Sequence, residues 1–146
     1  MLVSIIYSCN NSPAEKEATE KQIQVSLNPN GDSELALLMR AMYEEADEVK
    51  KQIAAGEPIE FTLDHEKILT AHATEPDKAA SVEFKAFAKA YLQAVNTLKT
   101  ASPEKQTLHF ESMVENCMAC HQPLCPGPIV KIKKLNKPVK KLSTEI

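Results

Sequence analysis

Residues 32–56 read DSELALLMRAMYEEADEVKKQIAAG, and they decide the fold class. Leu35, Met39, Met42, Ala46, Val49 and Ile53 alternate at steps of four and three residues. That is a heptad seam, the apolar stripe of a helix that packs against antiparallel neighbours. Asp32 or Ser33 is placed to cap the N-terminus, and Glu34 stands in the first turn, where the helix dipole favours an acid. Gly56 ends the helix.

Working outward, the prolines fall between periodic stretches and not inside them. Pro29, Pro58, Pro76, Pro103 and Pro123 leave four windows, none with a glycine in its interior. The second window, about 60–74, is the weakest, with Phe61, His65, Ile68 and His72 on one face. The third, about 77–100, aligns Phe84, Phe87, Tyr91, Ala94 and Leu98. Ser102, Pro103 and Glu104 then read as a cap, a proline at the first helical position and a first-turn acid. The fourth window, about 103–122, carries the stripe Phe110, Met113, Cys117, Cys120 or His121, with Leu124 beyond it. Short connections make consecutive helices antiparallel neighbours. The expectation is an all-α protein, an antiparallel four-helix bundle over 32–125.

Composition supports that class and removes others. Aromatics are 5% of the chain, tryptophan is absent and there are only 3 glycines, which argues against an all-β sandwich. A net charge of −3 excludes a uniformly basic surface for nucleic acid. No apolar run reaches the ~18 residues of a membrane-spanning helix. Four cysteines in 146 residues are too few for a disulfide-built scaffold.

The two ends lie outside the periodic region. Residues 1–9 are apolar and close on Ile6-Tyr7-Ser8-Cys9, which resembles a bacterial lipobox, although Tyr7 fits it poorly. In that reading Cys9 carries the lipid and residues 10–31, rich in Asn, Ser, Pro, Glu and Lys, are a solvated linker. Residues 126–146 hold six lysines against Glu145, a net +5, while the remainder of the chain carries −8. Such a tail could dock an acidic partner or an anionic membrane. The favoured reading is plainer: an extension that keeps Ile129, Ile132 and Leu135 packed on the body.

The chemistry is concentrated in Cys117-Met118-Ala119-Cys120-His121. Cys-x-x-Cys-His is the attachment signature of c-type haem. Thiols three residues apart share a face of one helical turn and can add to two vinyl groups of a porphyrin. His121, next to Cys120, then reaches the iron as proximal ligand. All three residues fall on the apolar stripe of the fourth window, so a haem c would enlarge a core that is otherwise short of large side chains. Two rivals are weaker. A thioredoxin-type dithiol needs a strand before the helix, and none is indicated. A zinc site would need Cys125 as fourth ligand, in a crowded turn interrupted by Pro123.

A helical bundle with this motif in its last helix resembles the cytochrome c-prime family and its low-spin relatives. The resemblance covers about 32–125 and rests on the motif at 117–121 and on Leu38-Met39-Arg40-Ala41-Met42 in the first helix. It implies one covalent haem and a first-helix residue facing the distal side of the iron, three before another apolar residue. Carried over, Met39 is the candidate sixth ligand and Met42 a wall of the pocket. A thioether suits the role because it is soft and raises the reduction potential; plain core packing is the alternative for a methionine. Arg40, the only arginine, is a candidate partner for a haem propionate. His65 or His72 as a distal imidazole is a remote option, and His109 is expected to be exposed. The family often carries a basic residue shortly after the proximal histidine; here Gln122-Pro123-Leu124-Cys125-Pro126 has none. For Cys125 three readings stay open: a free thiol beside the haem, a link to a second copy in a homodimer, or a buried inert cysteine, the last being favoured.

The function these residues imply is electron transfer: a monohaem cytochrome passing single electrons between redox partner proteins outside the cytoplasm, periplasmic or lipid-anchored. The alternative is a five-coordinate haem protein that binds nitric oxide or carbon monoxide. No nucleophile with a paired base and no phosphate-binding loop is visible, so an enzyme is not expected.

Overall fold

The computed structural model describes residues 33–137; Cys9, the 10–31 segment, Lys140 and Lys141 lie outside the described residues. Every described regular element is helical: α1 (Glu34–Ala55), a 3-10 turn (His65–Leu69), α2 (Pro76–Ala80), α3 (Val82–Lys99), α4 (Pro103–Leu124) and α5 (Ile129–Ile132). Three of these helices are long, so the all-α expectation holds while the second and third windows need correction.

At the start of α1 the Ser33 hydroxyl accepts from the Ala36 amide at 3.3 Å, which makes Ser33 and not Asp32 the cap. At the far end Gly56 adopts φ 70, a left-handed conformation that costs glycine little. There the Glu57 amide donates to Gln52 and the Gly56 amide to Ile53, satisfying carbonyls the helix leaves open.

The chain then runs back along α1, but not as an α-helix. Side chains of α1 supply the hydrogen bonds instead. Gln52 accepts from the Glu60 amide at 3.0 Å. Glu45 accepts from the amides of Thr62 and Leu63 at 2.6 and 2.9 Å. Asp64 caps only the short 3-10 turn. The return ends where the Leu35 amide donates to the His72 carbonyl at 2.9 Å, occupying one of the free donors of the α1 N-terminus. The expected second helix is therefore an extended strap with one 3-10 turn, because backbone donors that would close a helix are taken by α1.

The third window is broken as well. Ser81 leaves helical geometry at ψ 152, and its hydroxyl accepts from the Phe84 amide at 3.0 Å, starting α3 afresh after α2. α3 and α4 then pack side by side along their lengths. Phe84, Ala88, Tyr91, Val95 and Leu98 form the buried seam of α3. Ala88 and Val95 thus take the places that periodicity assigned to Phe87 and Ala94. On α4 the buried residues are Phe110, Met113, Val114 and Met118, and the helix continues through Pro123 to Leu124. Met42, Ala46 and Val49 close the core from α1.

The tail docks. Ile132 and Leu135 are buried, and Ile129 packs on the same core. Lys131 pairs with Glu44 at 2.9 Å and lies 4.3 Å above the Tyr43 ring, while Lys50 donates to the Lys134 carbonyl. These contacts lay the tail alongside α1, as the plainer reading of its sequence expected.

Candidate functional site

The motif occupies the last two turns of α4. Cys117 packs against the core, while Cys120 and His121 are half-buried at its margin. The stripe therefore turns slightly away from the motif: Met118 is its most enclosed residue, and Cys120 and His121 are corrected from core to rim. All three described cysteines are free.

Burial pushes the Cys117 thiol up to about 12, helped by neighbouring Cys120 and opposed by a backbone amide. Burial likewise pushes Cys120 up to about 11, with Cys125 and Glu83 adding to the rise. The three sulfurs thus form one neighbourhood, with the acid at the start of α3 beside it. Both motif thiols stay protonated at neutral pH. A redox dithiol needs the opposite, a depressed thiol that supplies thiolate.

His121 is held in one orientation. Its Nδ1 lies 2.9 Å from the Cys125 carbonyl oxygen. A carbonyl only accepts, so Nδ1 carries the hydrogen and donates. In the neutral ring Nε2 then keeps its lone pair, the arrangement typical of a metal-ligating imidazole. The Cys125 amide donates back to the His121 carbonyl at 3.1 Å, where the last turn of α4 gives way to extended backbone. Cys125 itself is exposed, which corrects the expectation of a buried cysteine. Its backbone matters here more than its thiol.

From α1, Met42 is buried, Met39 packs half-buried against the same core, and Arg40 is half-buried. Met39 and Cys117 thus border a common core from α1 and α4. Among the described residues no three His, Cys, Asp or Glu side chains converge as a metal cage, which counts against the zinc reading. The residues fit covalent haem: paired thiols on one helical face, and an adjacent imidazole with its second nitrogen open.

Compared with the models of known families, with curated proteins and with solved structures, the chain matches none.

The other histidines are placed differently. His72 is exposed and pairs with Glu34 at 3.3 Å. His109 is half-buried, not exposed. His65 is buried, with both ring nitrogens in use: Nδ1 is 2.9 Å from the Tyr91 hydroxyl and Nε2 is 2.6 Å from Glu45 Oε2. No lone pair remains there for iron. This Glu45–His65–Tyr91 chain was missed at the level of sequence. Its signal was Glu45 itself, three residues after Met42 and four before Val49, an acid on the inner edge of an apolar seam.

Proposed function

We propose that this chain is a monohaem c-type cytochrome that carries single electrons between redox partner proteins outside the cytoplasm. The observation that supports it is His121 fixed by the Cys125 carbonyl beside two protonated thiols of the attachment motif. Each thiol would add its S–H across a vinyl group of the porphyrin, which needs no oxidant and would leave two thioether links. Cys117, Cys120, His121 and Met39 would hold an iron porphyrin, which would supply one-electron chemistry when bound. In this reading the three long helices α1, α3 and α4 and the 57–74 strap take the places of the four helices of a cytochrome c-prime bundle. A lipid on Cys9 tethers the protein on the non-cytoplasmic side.

The test is the protein produced in a host competent for cytochrome c maturation. Its intact mass is expected to exceed the polypeptide by one haem, and its ferrous spectrum to be low-spin. Met39→Ala is expected to give a high-spin spectrum that shifts with carbon monoxide. A colourless product of bare polypeptide mass defeats the reading. A wild-type protein that is already high-spin and binds carbon monoxide assigns the site to gas binding instead.

A further inference from the structure

The docked tail has an outer surface that the haem reading does not use. After α5 the chain tightens: the amides of Lys134, Leu135 and Lys137 donate to the carbonyls of Lys131, Ile132 and Lys134, each three residues back. At three residues per turn, side chains three apart stack in rows. The row of Ile129, Ile132 and Leu135 packs on the core. Lys131, Lys134 and Lys137 form a second row on the α1 side, where Lys131 meets Glu44 and the Tyr43 ring. Val130, Lys133 and Asn136 form the third on the α4 side, where the Asn136 side-chain amide lies 3.5 Å from Glu115. Docking by the first row therefore turns the other two outward. Lys133, Lys134 and Lys137 are exposed, and Val130 is 74% exposed. Among the described residues no acid pairs with the ammonium groups of these three lysines.

We propose that this outer surface is a contact face for an anionic bilayer: Lys133, Lys134 and Lys137 lie among acidic headgroups, and Val130 enters the boundary between headgroups and acyl chains. The inference does not rest on the haem reading. Residues 126–137 carry four lysines and no acid, and Lys131 alone is neutralised, by Glu44. The chain as a whole carries −3, but that total does not decide the encounter. Charges more than a Debye length away, ~8 Å at physiological salt, are screened, so a membrane responds to the face turned toward it. Beside the rows Glu115 stands against three free lysines, which leaves that face positive. A lysine is a point charge on a flexible stem, and nothing fixes where these three ammonium groups sit. Such a set suits a fluid layer of phosphates better than the fixed carboxylates of one protein partner. The exposed aliphatic side chain in the same rows adds the apolar contact that interfacial binding uses.

The test is co-sedimentation of the full chain with vesicles, with Cys9→Ser throughout so that no acyl chain masks the result. Binding is expected on phosphatidylcholine vesicles containing about one-third phosphatidylglycerol, and not on phosphatidylcholine alone. It is expected to be lost between about 0.05 and about 0.5 M salt. Each lysine near an anionic surface is worth about fivefold in affinity, so Lys133→Gln, Lys134→Gln and Lys137→Gln together are expected to weaken binding at least about tenfold. These side chains touch no core residue, and circular dichroism checks that the variant stays folded. Lys85→Gln, Lys89→Gln and Lys105→Gln together make the same change in net charge on exposed residues of α3 and α4, and are expected to weaken binding far less. Val130→Ser is expected to weaken it about threefold. Equal binding to neutral and anionic vesicles, equal losses in the two triple variants, or no binding to anionic vesicles overturns the proposal. A chain that ignores vesicles but is retained on immobilised polyglutamate through the same three lysines assigns the face to acidic proteins instead.

Discussion

Glu45 shows how much one side chain can organise. Burial alone would raise its pKa, but the amides of Leu63 and Thr62, His65 and the Thr62 hydroxyl together pull it below its ordinary value of 4.5. A carboxylate depressed in the folded state stabilises the fold above its unfolded value, and that contribution is lost as pH falls through the lower folded value. Urea unfolding of the wild type followed from neutral pH downward should lose stability through that acid range. Glu45→Gln should be less stable at neutral pH, by about 1–3 kcal/mol, with a flatter acid limb. A local reading of residues 60–74 could place His65 and Ile68 on one face, but not foresee this carboxylate. Its influence comes from a residue 20 positions away in sequence.

At the scale of elements, legibility followed the origin of the hydrogen bonds. α1 and α4 satisfy their own backbones, and periodicity with capping residues located both within two residues of their ends. The 57–64 strap is satisfied by α1 side chains, so nothing in its own period could announce it. Ser81 sits between these cases. Its capping role was readable as a serine three residues before an apolar anchor, yet the continuous apolar spacing around it suggested a single helix. The Ser81→Ala variant removes the acceptor for the Phe84 amide and is expected to cost about 1 kcal/mol, read as a lower urea midpoint with an unchanged slope. The Cys117-x-x-Cys120-His121 spacing was legible because it is carried by residue identity alone. The Cys125 carbonyl was not, since a backbone acceptor leaves no trace in residue identity.

The whole molecule is closed by its tail. Ile132 and Leu135 cover core that α1 and α4 would otherwise expose, each worth ~1.5–3 kcal/mol of burial. Deleting residues 128–146 should therefore lower stability by about 3 kcal/mol or more, and the loss should hardly change with salt. The exposed Lys131–Glu44 pair contributes little beside the apolar contacts. Circular dichroism melts of the full and shortened chains at low and high ionic strength check this; a deficit that vanishes in salt would assign the docking to charge instead. The two described tyrosines mark separate regions of this architecture. Tyr43 lies under the tail's Lys131, and Tyr91 is hydrogen-bonded inside the His65 chain. With tryptophan absent from all 146 residues, ultraviolet emission comes from tyrosine alone. Difference spectra of Tyr43→Phe and Tyr91→Phe against the wild type, in which the common emission of Tyr7 cancels, would thus give a pair of local reporters, one for undocking of the tail and one for the buried imidazole, without attaching a dye.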